Sequence, residues 1–381
     1  MISRRGVISA LPALAAAANV HAEAPSSPPG GSRLHPRPSD AEILAALQSR
    51  VDVEKRGVGL VVGIVDGVAG RRTLAHGRLA LSGRALVDAD TLFEIGSITK
   101  TFTTLLLTDA VRRGEVKLDD PLAKYVPRGI RVPERRGRQI TLADLATHTS
   151  GLPSGPPGFV PADRSKPWAN FTIKQLYASL QQTVLEGEVG VGWAYSNFGM
   201  ALLGQALAER AAIPYEDLVR RRVIEPLQLP STGFAVSPAA DRRFATGYDA
   251  RLNAVAHWDL SAAAPAGGLR SSAKDMLTML EVACGLRSNE LSAAMTDQLK
   301  VRRPADEGDQ ALGWHLKPYE HGEIAWHGGA TAGFQSFAGF DRERRIGVVV
   351  LSNTAVIVGN IGLYALGVGR LGRFVTETPS P

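Results

Sequence analysis

The 381-residue sequence has one cysteine, few aromatic residues and no long apolar run beyond its first 22 residues. Because Cys284 is alone, no disulfide can form within the chain, and its apolar neighbours predict a core position for it. A membrane-spanning helix needs about 20 consecutive apolar residues, and no later stretch approaches that length. The eight histidines lack the close spacing of zinc ligands, so neither a metal nor another cofactor is predicted.

Also missing is the Gly-x-Ser-x-Gly pentapeptide, in which many hydrolases place their nucleophile between a strand and a helix.

The sequence has no strong excess of one charge. The formal net charge is +6, and removal of residues 1–22, which hold two arginines and no acid, lowers it to +4. A dispersed surplus of this size argues against a nucleic-acid partner.

The first 22 residues have the pattern of a secretory signal peptide. Residues 1–5 are basic, residues 6–20 are apolar and rich in alanine, and Val20-His21-Ala22 offers a cleavage site. The Arg4-Arg5 pair also fits a twin-arginine signal, so the export route stays open. Residues 23–40 are rich in Pro, Ser and Gly, which predicts a flexible leader. We therefore expect a periplasmic or secreted protein.

Strand-like segments lie near the two ends of the chain. The runs are 58–65, 71–79, 311–318, 323–327, 335–341 and 345–352. Since a two-stranded hairpin is at best marginally stable alone, we predict an α/β (α+β) fold. One antiparallel sheet is built from both chain ends and is flanked by helices.

Helical periodicity dominates the middle of the chain and returns at its end. The predicted helices are 41–51, 101–113, 172–185, 197–211, 215–225, 273–284 and 356–374. These segments predict one domain over residues 41–381. Its α/β lobe comprises about 41–95 and 304–381, and a mainly helical lobe of about 96–303 is inserted between them.

Ser97 and Lys100 lie three residues apart where an apolar helix pattern begins. Residues at this spacing share a helix face, so the lysine amine can reach the serine hydroxyl. A lysine in the first turn faces the positive end of the helix dipole, and apolar surroundings lower its pKa further. The pair can act as a nucleophile with its own base. The alternative is a helix cap.

The same spacing occurs a second time, at Ser271 and Lys274. There, however, Ser272 and Asp275 predict a capping box at the start of a helix. Helix capping is therefore the favoured interpretation of the second pair.

Two further stretches can complete an acyl-transfer site, which needs a second proton carrier, an oxyanion pocket and substrate contacts. In Tyr195-Ser196-Asn197, the tyrosine can share protons with a nearby amine and the asparagine can hold a substrate amide. The alternative is a core tyrosine followed by a helix cap. In His327-Gly328-Gly329-Ala330, the glycines allow close backbone approach, although a plain glycine turn remains open.

These three motifs, in this order and at these separations, resemble the serine β-lactamase and penicillin-binding superfamily, and most of all its class C β-lactamase branch. That branch includes DD-peptidases, D-amino-acid peptidases and esterases with the β-lactamase fold. The resemblance extends over about residues 58–353. It includes the flanking stretches 147–152 and 265–272.

The resemblance implies that Ser97 is acylated, that Lys100 is its base, and that Tyr195 carries protons to the leaving group and for deacylation. The implied substrate contacts are Asn197, His327, Gly328 and Gly329, and the implied oxyanion hole consists of the backbone N–H groups of Ser97 and Ala330. His148 is implied to be structural.

The third motif departs from the Lys-Thr-Gly of typical β-lactamases. Lysine supplies a fixed cation and threonine a hydroxyl, whereas His327 is only partly charged near pH 7 and Gly328 has no side chain. We expect a monomeric serine hydrolase that cleaves a β-lactam, or a related amide or ester of a small molecule or peptide, through an acyl-enzyme. The alternatives are a carboxylesterase, a D-alanyl carboxypeptidase or D-aminopeptidase, and a non-enzymatic penicillin-binding sensor.

Overall fold

The computed structural model describes residues 34–235, 242–306, 308–369 and 371. The predicted signal peptide and the first part of the predicted leader lie outside these residues. The described end of the leader runs beside the far end of the chain. There Leu34 pairs with Val368, and the backbone N–H of His35 donates to the carbonyl of Gly367 at 2.9 Å.

One antiparallel sheet of eight strands dominates the described part of the chain. All described strands are β1 (Gly59–Asp66), β2 (Gly70–Gly77), β3 (Leu92–Glu94), β4 (Glu134–Arg135), β5 (Arg138–Gln139), β6 (Gly247–Tyr248), β7 (Ala254–Val255), β8 (Arg270–Ser272), β9 (Arg303–Ala305), β10 (Gly308–Gln310), β11 (His315–Tyr319), β12 (Gly322–Ala330), β13 (Gln335–Asp341) and β14 (Ile346–Ser352). The sheet order is β2-β1-β14-β13-β12-β11-β10-β9, and β3–β8, β4–β5 and β6–β7 form small separate pairs. The predicted sheet from both chain ends is confirmed.

Helices cover both faces of this sheet. All described α-helices are α1 (Asp40–Gln48), α2 (Thr99–Arg112), α3 (Leu142–Ala146), α4 (Ile173–Gln182), α5 (Asn197–Ala211), α6 (Tyr215–Val219), α7 (Glu225–Leu227), α8 (Ala264–Gly267), α9 (Ala273–Ala283), α10 (Ser292–Asp297) and α11 (Gly359–Ala365). Helices α1 and α11 pack on one face, and α9, with α2 behind it, packs on the other.

Strand β14 is almost continuously apolar because both of its faces are buried. Val348 and Val350 belong to the core cluster under α1 and α11, whereas Val349 and Leu351 belong to the cluster on the opposite face. Successive side chains of a strand point to opposite faces, so a strand that is buried on both sides must be apolar at every position.

Two helix predictions are wrong in extent. Within the described residues, the tail helix predicted over 356–374 is limited to α11, because Gly367 and Gly369 adopt positive φ angles of 77° and 88° that end a right-handed helix; residues 370 and 372–374 lie outside the description. The segment 215–225 is not one α-helix either. Helices α6 and α7 are separated by a π-helical turn over Arg220–Ile224.

A tight turn connects β3 to α2 and lies directly against strand β12. The turn is a short 3₁₀ helix, Gly96–Ile98. A Cβ atom on Gly96, whose φ is +49°, would lie only 2.6 Å from the backbone nitrogen of Ala330. A Cβ atom on Gly329 would overlap the carbonyl oxygen of Ile95, which accepts a hydrogen bond from Ser336 at 2.8 Å. Only glycine at both positions permits this approach.

Gly329→Ala is expected to destabilise the fold by about 1–3 kcal/mol, because the new methyl group overlaps backbone that the sheet holds in place. Denaturant unfolding monitored by circular dichroism measures the change. Gly192→Ala is the matched control, since a Cβ atom at that exposed glycine meets no neighbour within 4 Å. Equal stability of both variants would show that the turn can move away from β12.

Candidate active site

The predicted pair of Ser97 and Lys100 is in contact at the start of α2. Ser97 lies in the 3₁₀ turn, and the Lys100 amine is 2.9 Å from the Ser97 hydroxyl. The same amine donates to the backbone carbonyl of Ala266 at 2.6 Å. The lysine side chain is fully buried, and no carboxylate bonds to its amine among the described residues.

The protonation state of Lys100 is set by its burial, because no acidic side chain of the described residues bonds to its amine. Removal of water from an ammonium group disfavours its charged form, and this desolvation holds the pKa of Lys100 well below its usual 10.5. A neutral amine at 2.9 Å has a free electron pair that can accept the hydroxyl proton of Ser97.

Tyr195 lies over the same pair of residues. The Lys100 amine is 4.9 Å from the centre of the tyrosine ring. Burial raises the pKa of Tyr195, and a hydrogen bond with the Ser97 side chain opposes this rise only in part. Tyr195 is therefore a neutral phenol at neutral pH, in a position to donate a proton beside the serine.

His148 supports the loop that carries Tyr195. Its ring centre lies 4.5 Å from that of Tyr195, and its Nδ1 atom accepts a hydrogen bond from the backbone N–H of Ser196 at 3.2 Å. The backbone carbonyl of His148 also accepts from the N–H of Ala194 at 2.8 Å. These contacts fix the backbone on both sides of the tyrosine.

Asn197 is the first residue of α5, and the helix cap is its neighbour. The Ser196 hydroxyl accepts from the N–H of Gly199 at 2.8 Å and donates to the carbonyl of Pro153 at 2.6 Å. Because Ser196 performs the capping, Asn197 keeps its side-chain amide for other contacts. It lines the same cavity as Ser97 and Tyr195.

His327 lies behind Tyr195, and it is not among the described residues that line the cavity. The two ring centres are 6.4 Å apart. Its Nδ1 atom is 2.6 Å from the carbonyl oxygen of Gly328, and its buried Nε2 atom has no hydrogen-bond partner among the residues that the structure describes. Burial, with a smaller contribution from nearby His315, holds the pKa of His327 well below 6.5, so the ring is neutral.

The backbone groups predicted for the oxyanion hole also come together. The turn that contains Ser97 contacts the end of β12 at Ala330, and both residues line the cavity. Gly328 and Gly329 do not line it among the described residues. The contribution of Gly329 is the close approach of strand and turn that places Ala330 there.

The cavity has a volume of about 410 Å³, which is typical of small-molecule sites. Its described lining residues are Ser97, Ser154, Gly155, Pro156, Arg164, Trp168, Phe171, Tyr195, Asn197, Phe198, Ala201, Trp258, Leu260, Ala263, Ala266, Gly267, Ala330, Thr331, Ala332 and Ala355. Sequence reasoning missed most of these residues, although two aromatic residues in a long polar loop, Trp168 and Phe171, were an available signal. The hydroxyl oxygens of Ser154 and Thr331 are buried in the wall, and neither has a hydrogen-bond partner within the described part of the chain.

The second Ser-x-x-Lys pair is structural, as predicted. The Ser272 hydroxyl accepts from the backbone N–H of Asp275 and caps α9. Lys274 forms an exposed ion pair with Asp90 at 3.2 Å, and the Ser271 hydroxyl bonds to that of Thr232 at 2.8 Å.

The described residues contain neither a metal-binding cluster nor a helix that could cross a membrane. No group of three or more His, Cys, Asp or Glu side chains is arranged to hold a metal ion in this part of the chain. Within the same residues, no helix has the length and apolar character that crossing a membrane requires.

The profile of the family described as Beta-lactamase matches residues 43–360. The chain belongs to this β-lactamase family. It is 31% identical to a β-lactamase of Escherichia coli strain K12 over 70% of this chain and 76% of that protein. It is 28% identical to the D-alanyl-D-alanine-carboxypeptidase/endopeptidase AmpH of the same strain, over 92% of this chain and 91% of the relative.

Solved structures agree with the β-lactamase assignment. The class C β-lactamase from Rhodobacter sphaeroides superimposes with a TM-score of 0.73 at 27% identity, over 85% of this chain and 97% of that one. A β-lactamase/D-alanine carboxypeptidase from Yersinia pestis gives 0.74 at 25% identity, over 86% and 96%. The protein is therefore a serine hydrolase of β-lactamase type, and the predicted family, fold and enzyme class are confirmed.

The value of kcat/KM is expected to fall as the pH drops through the lowered pKa of Lys100, because protonation removes the electron pair that accepts the serine proton. The acid limb of the pH profile is therefore expected well below 10.5. A steady-state profile of kcat/KM against pH measures the position of this acid limb.

The side chain of Lys100→Arg stays charged, so this variant is expected to lose about 100-fold or more in kcat/KM at every pH. A limb near the ordinary lysine value would contradict a neutral Lys100.

Proposed function

We propose that this enzyme hydrolyses a β-lactam, or a related amide or ester, through an acyl-enzyme formed on Ser97. The observation that carries the proposal is the contact of 2.9 Å between the serine hydroxyl and a fully buried lysine amine. A neutral amine in this place takes the hydroxyl proton while Ser97 Oγ attacks the substrate carbonyl carbon. The resulting oxyanion is held by the backbone N–H groups of Ser97 and Ala330.

Tyr195 completes the proton transfers. Its phenol donates a proton to the departing nitrogen or oxygen as the carbonyl–leaving-group bond breaks, and the proton taken up by Lys100 then returns to the phenolate, whose ring lies beside the amine. In the second half, Tyr195 accepts a proton from the water that attacks the ester carbonyl and passes its own proton to neutral Lys100. As the ester bond breaks, a proton is returned to Ser97 Oγ, which leaves free Ser97 and a carboxylic acid. Asn197 binds the amide or carbonyl group of the substrate.

The charge state of His327 helps to decide which substrates the cavity can bind. It is neutral and buried, so it gives the cavity no fixed cation for a β-lactam carboxylate. This observation favours a carboxylesterase as the second candidate function, because a simple ester carries no carboxylate. A D-alanyl carboxypeptidase must bind the terminal carboxylate of its peptide, so it is supported by the named relative and not by His327. The relatives support both groups, since their names include β-lactamase and D-alanyl-D-alanine-carboxypeptidase/endopeptidase. Parallel assays with nitrocefin, p-nitrophenyl butyrate and a D-Ala-D-Ala peptide rank the substrates.

We also propose a cellular location, a domain organisation and an oligomeric state for the enzyme. The basic and apolar pattern of residues 1–22 supports export to the periplasm or medium. A catalytic domain over 41–381, with lobes divided near residues 95 and 303, agrees with the position of the cavity between the sheet and the helices. We propose that this domain acts as a monomer.

Ser97→Ala is expected to abolish covalent labelling by a fluorescent penicillin or a fluorophosphonate, because it removes the hydroxyl group that contacts the Lys100 amine at 2.9 Å. Gel fluorescence measures the label. Ser271→Ala is the matched control, since it removes the serine of the second Ser-x-x-Lys pair and leaves the cavity intact. Label that persists in Ser97→Ala and disappears in Ser271→Ala would move the nucleophile to the second site.

Tyr195→Phe is expected to lower kcat by about 100-fold or more, because it removes the proton donor and keeps the ring. Steady-state hydrolysis of nitrocefin or of the D-Ala-D-Ala peptide measures the loss, because a departing amide nitrogen needs the proton that Tyr195 supplies, whereas p-nitrophenolate leaves without one. Tyr364→Phe makes the same chemical change in α11, outside the cavity, and is expected to keep full activity. Equal rates for the two variants would remove Tyr195 from the mechanism.

A further inference from the structure

The deep side of the active-site cavity is apolar. One wall consists of Phe198 and Ala201 on α5, which are almost completely buried, and a second wall consists of Leu260 and Ala263. A third wall is formed by Trp168 and Phe171. No charged side chain belongs to these three walls, and the one charged residue in the described lining, Arg164, is on an exposed part of the loop.

The aromatic wall is held in place by its own packing. Phe159 stacks on Trp168 with ring centres 5.6 Å apart and contacts Phe171 at 4.6 Å. The backbone carbonyl of Phe171 accepts a hydrogen bond from the N–H of Ala262 at 3.0 Å, which ties this loop to the segment that carries Leu260 and Ala263. Aromatic clusters of this kind bury a large area in a fixed geometry. The wall is therefore formed before a substrate arrives.

A second set of contacts fixes the segment that leads to Leu260. The backbone N–H of Trp258 donates to the buried carboxylate of Glu94 at 2.7 Å, and the carbonyl of Trp258 accepts from the guanidinium of Arg270 at 2.6 Å. Glu94 and Arg270 face each other across β3 and β8, and β3 leads directly into the turn with Ser97. The apolar wall and the nucleophile are thus held by the same short pair of strands.

We propose that this apolar side is a specificity site for the acyl group, and that the enzyme prefers esters and amides whose acyl group is a hydrocarbon chain or ring of four or more carbons. The proposal rests on the function proposed above. During acylation the leaving group must depart past Tyr195 before water attacks, whereas the acyl group stays attached to Ser97. The enclosed part of the cavity suits the group that stays.

The test uses the whole enzyme and a series of p-nitrophenyl esters with acetyl, butyryl, hexanoyl and phenylacetyl groups. Each buried methylene contributes about 0.8 kcal/mol, so kcat/KM is expected to rise about tenfold from acetate to butyrate, with the gain largely in KM. A second series of butyrate esters varies the size of the leaving alcohol at similar acidity. A flat response to acyl length would overturn the proposal, as would a stronger response to the leaving group.

Variants locate the preference within the cavity. Trp168→Ala is expected to reduce the butyrate-to-acetate ratio by about fivefold or more, because it removes one wall of the acyl site. Leu260→Asp places a charge at a half-buried position of the wall that Leu260 forms with Ala263, and it is expected to reduce the same ratio. Val160→Ala is the matched control, since this exposed residue of the same loop does not line the cavity. An unchanged ratio in both wall variants would overturn the proposal.

Covalent labelling separates this proposal from the one it rests on. If wild-type protein is labelled at Ser97 and hydrolyses every ester equally, the acyl site is wrong and the acyl-enzyme mechanism stands. If wild-type protein is neither labelled nor active towards any substrate, the proposed function itself fails.

Discussion

The site depends on one costly placement, the buried lysine amine at the start of α2, to which no carboxylate of the described residues bonds. An ammonium ion in this position would lose most of its hydration, and a backbone carbonyl and a serine hydroxyl would replace little of it. The fold meets this constraint by keeping the amine neutral. The neutral state is also the one that can accept a proton, so the cost of burial is directly linked to the reactivity of the neighbouring serine.

The sheet contributes to the site mainly through backbone. Glycines at positions 96 and 329 let the turn and strand β12 approach more closely than any other residue would permit. Ser336 then ties the turn to β13 through the carbonyl of Ile95. As a result, Ser97, the proposed nucleophile, and the backbone N–H of Ala330, the proposed oxyanion donor, belong to a single rigid unit. Preorganised donors of this kind stabilise developing charge without rearrangement.

Sequence reasoning succeeded where local chemistry decides the outcome. Strand β13 and helix α5 match their predicted bounds residue for residue, because β13 is bounded by clear breaks and α5 begins directly after a capping serine. The contact between Ser97 and Lys100 follows from helical spacing alone. Sequence could not place His327 behind Tyr195, since a strand pattern gives no distance to another element. The apolar cavity walls were missed because they come from irregular loops whose path depends on tertiary packing.

The pairing of Leu34 with Val368 has a consequence for how the enzyme can be attached to other structures. Both residues pack with α1 and α11, on the face of the sheet opposite α2 and the cavity. A fusion partner, a surface linker or a lipid-bound extension that joins the domain at Leu34 therefore meets it from the rear. Immobilised in that orientation, the enzyme keeps its cavity turned toward the surrounding medium.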